Sequence, residues 1–314
     1  MPILSRRLLL GAAIALPLMS SVALAADKIL ASVPGLSFPF FVHMMNAFKA
    51  EIEKQGYEAI ESDGQVSSPK QTADVEAAIA QGVKGIVISP NEVDAMAPAL
   101  QQAVEANIPV VTVDRRVPSV DGILAHVGAD NVKGGEAQGQ LILKLFPDGA
   151  TIINLQGQSG ASPAIDRNKG LHNVLDPVKD KYKIVFEQTA GFARDKGLSV
   201  TEAALSALSD PPKVIVAAND DMALGAMEAV KARGLTGIAI IGFDALPEAL
   251  AQVRDGGMTA TIEQFPGKQS SLGVQTLVAF LKDGTKPAEK ILLLTPEAVT
   301  KDNLNLAERL GEVK

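Results

Sequence analysis

Charged and amide side chains follow four of the predicted strands, at the point where each strand ends. They are Asp114 and Arg115 after residues 110–113, Asn219 after 214–218, Asp244 after 239–242 and Gln264 after 260–263. In an open parallel sheet, ligands bind beyond the carboxyl ends of the strands, so we expect these side chains to meet in one cleft. Carboxylate, guanidinium and amide groups each form paired hydrogen bonds of fixed geometry, which suits the neighbouring hydroxyls of a polyhydroxylated ligand.

The aromatic residues are few and are concentrated near the same strand ends. The chain has 10 Phe, 2 Tyr and no Trp. Six of the phenylalanines lie in or beside predicted strand-end loops: Phe38, Phe40, Phe41, Phe192, Phe243 and Phe265. Flat apolar rings in a cleft with polar walls match a sugar ring, whose C–H faces are apolar and whose hydroxyls point outward. Two alternatives stay open: Phe243 and Phe265 pack in the core, or one of Phe40 and Phe41 does so while the other faces the cleft.

Several polar pairs also have a simpler structural interpretation. Asp220-Asp221 could cap a helix that begins near residue 222. Asp166-Arg167 could be an exposed helical pair, and Asp114-Arg115 could be a solvated ion pair. Gly134-Gly135 indicates a backbone requirement near a helix start or a crossing between lobes.

The sequence contains no recognisable catalytic or metal-binding pattern. Residues 157–160 lack the final glycine of a nucleophile elbow, and neither a phosphate-binding loop nor a dinucleotide-binding glycine motif is present. The chain has no cysteine, and its three histidines lie far apart. We therefore expect no catalytic residue, no metal site and no cofactor, and a binding role rather than an enzymatic one.

Short apolar strands alternate with amphipathic helices along almost the whole chain. The predicted strands are residues 29–33, 59–62, 85–89, 110–113, 123–127, 151–155, 183–188, 214–218, 239–242, 260–263 and 291–294. The first helix has an apolar stripe from Phe41 to Ile52. Ser68 is the predicted cap of the second helix, with Pro69 at its first position and Gln71 as the capping-box partner. Strict alternation predicts an α/β fold of doubly wound parallel sheets with helices on both faces.

Residues 1–25 have the features of an export signal. Arg6 and Arg7 precede an apolar run over residues 8–24, and Ala23-Leu24-Ala25 is a small-x-small cleavage pattern. The Sec and twin-arginine routes both stay open, and the short length with Pro17 argues against a membrane anchor. From Ala26 onward the chain carries 27 basic and 36 acidic residues, and this net charge of −9 argues against nucleic acid as a partner.

From residue 28 to about residue 314 the chain resembles the ribose-type (type I) periplasmic sugar-binding proteins of ABC importers. The segments that carry the resemblance are Pro39-Phe40-Phe41, residues 108–115 (IPVVTVDR), 126–131 (HVGADN), 219–226 (NDDMALGA), Gly242-Phe243-Asp244 and 260–264 (ATIEQ). Each segment alone is common, but their order and spacing span the whole mature chain and make the pattern specific.

The resemblance implies ligand-binding roles position by position. Aromatic contacts to the sugar ring fall on Phe40, Phe41 and Phe192. Hydrogen bonds to its hydroxyls fall on Asp114, Arg115, Arg167, Asn219, Asp244 and Gln264. The resemblance therefore adds Arg167 and Phe192 to the side chains that the strand ends point to.

Two positions depart from the ribose-binding members. Phe38, which we also expect to contact the ligand, stands where those proteins carry an asparagine, and Pro34 stands where they carry a small hydroxyl residue. Each change removes a hydrogen-bonding group, and a ligand hydroxyl left unpaired costs on the order of 1–3 kcal/mol, which argues against ribose itself. Residues 242–250 and the tail 306–314 are similar to inositol-binding members, whereas Phe192 is similar to ribose binders. Pentose, hexose, cyclitol and linear polyol ligands therefore stay open.

The resemblance also implies two lobes joined by three crossings, near Ala129-Asp130, Glu263-Gln264 and Leu294-Thr295. Lobe one is expected to hold residues 26–130 and 264–291, and lobe two residues 131–263 and 292–314. Closure of the lobes would bury a monosaccharide, cyclitol or polyol and present a closed surface to a membrane ABC permease and its ATPase. We expect a monomer in the periplasm. A sugar-sensing receptor component and an exported sugar-modifying enzyme are the alternatives.

Overall fold

The computed structural model describes residues 26–314, so the predicted export signal at residues 1–25 lies outside the described residues. In chain order the elements are β1 (Lys28–Val33), α1 (Pro39–Lys54), β2 (Glu58–Asp63), α2 (Ser68–Ala80), β3 (Gly85–Ile88), α3 (Ala97–Glu105), β4 (Val110–Val113), β5 (Ala125–Ala129), α4 (Asn131–Leu145), β6 (Ala150–Gln156), α5 (Ser162–Leu175), β7 (Tyr182–Thr189), α6 (Arg194–Ala207), β8 (Val214–Ala217), α7 (Asp220–Ala232), β9 (Ala239–Ile241), α8 (Pro247–Asp255), β10 (Thr261–Glu263), α9 (Pro266–Asp283), β11 (Ile291–Leu294) and β12 (Glu297–Val299). Short 3-10 helices follow at Asp176–Val178, Leu304–Leu306 and Leu310–Glu312.

The strands of the described residues form two parallel sheets and one small antiparallel pair. The larger sheet has the order β11-β5-β4-β3-β1-β2, and the smaller has the order β7-β6-β8-β9. β10 and β12 pair in antiparallel fashion. We call the unit around the larger sheet lobe one and the unit around the smaller sheet lobe two. Two parallel sheets with intervening helices confirm the predicted α/β fold class.

The core lies on the two faces of each sheet. Strands β3, β4 and β8 are buried along their whole length, as expected for parallel strands that helices cover on both sides. The predicted stripe of α1 is also buried, with Met44, Phe48 and Ile52 fully inaccessible. Within residues 26–314, no helix is both long and apolar enough to cross a membrane.

Most predicted strands match the observed strands to within two residues. β5 begins at Ala125 rather than at residue 123 and continues to Ala129. β12 is absent from the sequence-based prediction, because three residues are too few for an alternating pattern to be visible.

The start of α2 differs from the prediction. Ser67, not Ser68, is the N-cap, and its hydroxyl oxygen accepts a hydrogen bond from the backbone N–H of Lys70 at 3.3 Å. Gln71 does not return to the cap, because its buried amide oxygen accepts from the backbone N–H of Asn91 at 2.7 Å. Ser68 in turn accepts from the Asn91 side chain at 3.0 Å. The start of α2 therefore anchors the loop that follows β3.

The described chain passes between the lobes at three places. β5 leads into α4 at Asp130, β10 leads into α9 after Glu263, and β11 leads into β12 after Leu294. The predicted lobe boundary between residues 291 and 292 is wrong by three residues, because residues 292–294 pair with β5 in lobe one. The remaining division of the chain between the lobes stays a prediction.

Candidate functional site

A cavity of about 320 Å³ lies between the carboxyl ends of strands from both lobes. The side chains that line it are Phe38, Phe40, Phe41, Asp114, Arg115, Pro163, Arg167, Phe192, Asn219, Asp244 and Gln264. The structure thus brings together all ten side chains predicted from the sequence and adds Pro163. Their convergence follows from the topology, because residues that end parallel strands share one edge of a sheet.

Lobe one contributes an adjacent carboxylate and guanidinium group after β4. Asp114 has a left-handed backbone with φ of 62°, and its carboxylate accepts a hydrogen bond from the Ser89 hydroxyl at 3.0 Å. The Nη1 group of Arg115 donates to the Asn91 carbonyl at 2.6 Å. Burial raises the pKa of Asp114, which Arg115 opposes, and burial lowers the pKa of Arg115 to about 10. Both groups are buried, so the solvated ion pair considered above is wrong.

Lobe two contributes a second guanidinium and a second carboxylate. Arg167 on α5 donates from Nε to Asn131 at 2.8 Å and from Nη1 to the Ala218 carbonyl at 2.7 Å. Its Nη1 group also lies 3.4 Å from a carboxylate oxygen of Asp244, which accepts from Gln264 at 2.5 Å. Burial raises the pKa of Asp244 to about 7, although the Arg167 charge opposes the shift.

Each lobe leaves one donor edge and one acceptor atom open toward the cavity. Among the described residues, no hydrogen bond involves the Nη2 group of Arg115 or Arg167. The same holds for Oδ1 of Asp114 and Oδ2 of Asp244. The two lobes therefore present matched pairs of strong donors and acceptors to a ligand between them.

The amide of Asn219 has a structural role beside its place in the cavity. Its Oδ1 atom accepts from the backbone N–H of Met222 at 3.0 Å and so caps α7, while Nδ2 donates to the Phe192 carbonyl at 3.1 Å. The predicted capping role of Asp220 or Asp221 is therefore wrong, because the helix already begins at Asp220.

Asp220 is fully buried behind the cavity and ties three elements together. Its carboxylate accepts from the backbone N–H of Leu246 at 2.8 Å and from the Thr261 hydroxyl at 2.7 Å. Burial and the nearby Asp244 charge raise the pKa of Asp220 well above its usual range. This carboxyl group joins the starts of α7 and α8 to β10.

The aromatic side chains form the apolar wall of the cavity. Phe40 and Phe41 both border the cavity, with ring centroids 5.2 Å apart in an edge-to-face arrangement. The alternative in which only one of them faces the cleft is therefore wrong. Phe38 lies edge-on to Phe41 at 6.1 Å. Phe192, in a left-handed conformation with φ of 64°, faces the Arg115 guanidinium at 5.7 Å across the cleft.

Phe243 and Phe265 are buried and do not line the cavity. The Phe243 ring supports the site from below, because the Arg167 guanidinium stacks on it at 3.6 Å from the ring centroid. The core interpretation of both residues is therefore confirmed.

The interpretation of Asp166-Arg167 as an exposed pair is wrong. Arg167 is buried in the cavity wall, and Asp166 forms an ion pair with Arg116 of lobe one. Gly135 lies where a Cβ atom would come within 2.0 Å of the Arg167 carbonyl oxygen, so this glycine permits close packing of α4 on α5. The backbone requirement inferred from Gly134-Gly135 thus has a physical cause.

Sequence reasoning missed the residues that support the arginines. Asn91, Gln158 and Asn131 all hydrogen-bond Arg115 or Arg167, over sequence separations of 24 to 43 residues. Only Gly157 separates Gln158 from the end of β6. A search for polar residues after every predicted strand would therefore have found Gln158.

Comparison with known proteins agrees with this geometry. The model of the periplasmic binding protein domain matches residues 29–286. The ribose import binding protein of Escherichia coli is 36% identical over 263 residues, which cover 84% of this chain and 88% of that protein. The galactofuranose-binding protein of the same species is 33% identical, and the alignment covers 98% of this chain and 96% of that protein.

A solved structure shows the same architecture. The Caulobacter myo-inositol binding protein bound to myo-inositol is similar to this chain with a TM-score of 0.88 and 40% identity. The match covers 91% of this chain and 97% of that one. The chain therefore belongs to the family of periplasmic binding proteins, within its ribose-type branch of sugar-binding members.

Proposed function

We propose that this protein captures a neutral monosaccharide, cyclitol or related polyol between its two lobes and delivers it to an ABC permease. The observation that carries the proposal is the pair of open donor and acceptor edges, one from Asp114 and Arg115 and one from Arg167 and Asp244. A guanidinium edge donates to hydroxyl oxygens and a carboxylate accepts from hydroxyl protons, so neighbouring hydroxyls satisfy both lobes at once.

The charges of the cavity favour an uncharged ligand. Two arginines and two aspartates line it, and their formal charges cancel when Asp244 is ionised. A sugar acid or a sugar phosphate would leave an uncompensated negative charge in a buried site, which is costly. Neutral polyhydroxylated molecules avoid this cost.

The apolar wall makes myo-inositol the first ligand to test. The aromatic rings of Phe38, Phe40 and Phe41 line the cavity with apolar surface, which suits the C–H face of a six-membered ring. The myo-inositol binding protein of Caulobacter is 40% identical to this chain. Ribose and galactofuranose binders among the relatives keep pentoses and hexoses as further candidates.

We also propose the remaining biological context. The mature protein, from Ala26, is a periplasmic monomer that passes its ligand to a permease driven by a separate ATPase, and it binds without catalysis. Its relatives are import binding proteins, which supports this context. Residues 1–25 would direct export by the Sec or the twin-arginine route. The alternative, a component of a sugar-sensing receptor, differs only in the membrane partner.

A thermal-shift panel on residues 26–314 tests the proposal. Pentoses, hexoses, deoxy sugars, cyclitols and linear polyols are added to protein that has been unfolded, dialysed and refolded to remove bound ligand. A ligand at one hundred times its Kd stabilises the folded state by about 2.7 kcal/mol, so a true ligand gives a clear rise in Tm. Sugar acids and sugar phosphates are the matched negative set.

Two outcomes would contradict the proposal. One is a flat response to every neutral ligand, together with no sugar or polyol released from the protein as purified. The other is a shift with charged sugars only. Chemical conversion of a bound sugar during long incubation would instead favour the enzyme alternative.

A further inference from the structure

The two lobes touch each other directly along one edge of the cleft. Two loops of lobe one, after β3 and after β4, meet the loop after β6 and the first turns of α5 in lobe two. The backbone N–H of Val93 donates to the Gly160 carbonyl at 3.0 Å. The backbone N–H of Arg116 donates to the Ser162 hydroxyl at 3.0 Å. These contacts require the lobes to be closed, and they involve no ligand.

An ion pair crosses the same edge. The Arg116 guanidinium meets the Asp166 carboxylate with two parallel hydrogen bonds, one of them at 3.0 Å between Nη2 and Oδ1. The Asp166 side chain is only 11% exposed, whereas Arg116 is 37% exposed. The hydrogen bond to Asp166 is the main cause that raises the pKa of Arg116, so the guanidinium group keeps its charge. Neither residue lines the cavity.

Gln158 connects this edge to the ligand site. Its Oε1 atom accepts from Nη1 of Arg115 at 3.2 Å, and its Nε2 atom donates to Oδ1 of Asn91 at 3.2 Å. The Asn91 carbonyl accepts from the same Nη1 group at 2.6 Å. The Arg115 guanidinium is therefore held by its own lobe through Asn91 and by the opposite lobe through Gln158.

We propose that Asn91 and Arg116 of lobe one, with Gln158 and Asp166 of lobe two, form a latch. The latch stabilises the closed conformation without a ligand and orients Arg115 as the lobes close. Gln158 is a positioning residue, because it acts on the ligand through Arg115. Asp166 and Arg116 act on closure alone.

The latch has a consequence for affinity. When only a fraction of the protein occupies the binding-competent conformation, the apparent Kd is the intrinsic Kd divided by that fraction. A closed cleft also hinders entry of the ligand. The closed fraction of the ligand-free protein therefore affects both the apparent Kd and the rate of ligand binding. Weakening the latch lowers affinity even though no ligand contact is removed.

The absence of cysteine in the sequence allows a direct measurement on the ligand-free protein. Cysteines introduced at Glu105 on α3 and Glu202 on α6, both exposed and one in each lobe, carry spin labels. The distribution of distances between the labels then reports the ratio of closed to open protein. Bound ligand is first removed by unfolding, dialysis and refolding.

The variants compare the latch with a similar ion pair inside one lobe. Asp166→Asn is expected to lower the ratio of closed to open protein by about threefold. Glu248→Gln is the matched control, because Arg194 and Glu248 form a two-point ion pair within lobe two. It is expected to leave the ratio unchanged. The double exchange Arg116→Asp with Asp166→Arg is expected to restore most of the loss.

Salt separates the latch from a merely structural role. In the wild type, high salt screens the partly exposed ion pair and lowers the closed fraction, whereas Asp166→Asn loses this salt dependence. Gln158→Ala is expected to lower the closed fraction with its salt dependence intact. An unchanged distance distribution in Asp166→Asn, or a wild type with no closed population, would overturn the proposal, whatever ligand the thermal-shift panel identifies.

Discussion

Arg115 contacts residues of both lobes and also lines the cavity. It lies 5.2 Å from the Phe41 ring centroid, and its Nη2 group has no partner among the described residues. We expect Arg115→Ala to weaken binding of the panel ligand at least tenfold, because a charge-assisted, two-point donor is lost. Arg115→Lys should restore little of the affinity, since an ammonium group lacks the planar fork. Calorimetric titration measures both effects.

The control for Arg115 is a guanidinium group on the surface. Arg254→Ala removes an exposed arginine of α8 and should leave the Kd unchanged. Circular dichroism and thermal unfolding of each ligand-free variant show whether the fold is kept. If folded Arg115→Ala binds as tightly as the wild type, Arg115 does not contact the ligand.

Asp244 makes affinity depend on pH near neutrality. Burial raises its pKa to about 7, so the carboxyl group is protonated below this value and ionised above it. A ligand hydroxyl that donates to Oδ2 favours the ionised form, so ligand binding lowers the pKa and releases a proton. Affinity should therefore fall as pH drops through about 7, by up to about tenfold for each pH unit. Calorimetry at several pH values, in buffers of different ionisation enthalpy, measures the loss of affinity and the released proton.

Asp244→Asn provides the comparison for this prediction. The amide keeps the shape of the side chain and cannot titrate, so the pH dependence should disappear while affinity is reduced. An Asp244→Asn protein with the same pH profile as the wild type would assign the titration to another group.

The sequence predicted the residues that line the cavity better than it predicted the residues that hold them by hydrogen bonds. Strand-end position and the family pattern together pointed to Asp114, Arg115 and Asp244, and the structure places these around one cavity. Gln158 follows β6 closely and could have been placed near the cleft by strand-end position, but the hydrogen bonds that join Asn91, Gln158 and Arg115 depend on loops that only the closed lobes bring together. Neither residue type nor spacing reveals such contacts.

At the scale of elements, helices α4 and α5 pack closely because each contributes a glycine to their contact. A Cβ atom on Gly135 would lie 2.0 Å from the Arg167 carbonyl oxygen, and one on Gly170 would lie 2.0 Å from that of Val132. We expect Gly135→Ala to push α5 away from α4 and to destabilise the protein by about 1–3 kcal/mol. Because Arg167 moves with α5, ligand affinity should fall as well. Denaturant unfolding and calorimetry measure the two losses.

Gly311→Ala is the matched control for the helix pair. A Cβ atom at this glycine meets nothing within 4 Å, so stability and affinity should both stay close to the wild type. If Gly135→Ala lowers stability while the Kd is unchanged, the packing of α4 on α5 does not position Arg167.

The sequence predicted the elements well where periodicity was long enough to count. The buried stripe of α1 and the parallel strands of both sheets appear as predicted, whereas β12 has only three residues and escaped notice. The cap of α2 shifted from Ser68 to Ser67 for a different reason. Two adjacent serines satisfy the same pattern, and only the tertiary contact of Ser68 with Asn91 decides between them.

At the scale of the whole molecule, each lobe has its own sheet, and three short segments connect them. The second crossing is fixed by Glu263, whose buried carboxylate accepts from the backbone N–H groups of Phe265 at 2.5 Å and Glu308 at 2.8 Å. Burial raises the pKa of Glu263 to about 7. The predicted crossings at Asp130, Gln264 and Thr295 lie between the two lobes. The predicted boundary near residue 292 was corrected only by the pairing of β11 with β5.

This architecture predicts that the ligand closes the lobes as rigid bodies. Spin labels at Glu105 and Glu202, one in each lobe, should move closer when myo-inositol or the first panel ligand is added. Labels at Glu76 and Glu105, both on helices of lobe one, should keep their distance, because parallel sheets with buried faces deform little. Arg115 and Arg167 reach the cavity from opposite lobes, so a ligand that contacts both binds the closed form more tightly and shifts the equilibrium toward it. A ligand-dependent change within lobe one, or none between the lobes, would contradict hinge closure about the three crossings. The first result would place the movement inside a lobe, and the second would mean that the latch alone holds the lobes closed before the ligand arrives.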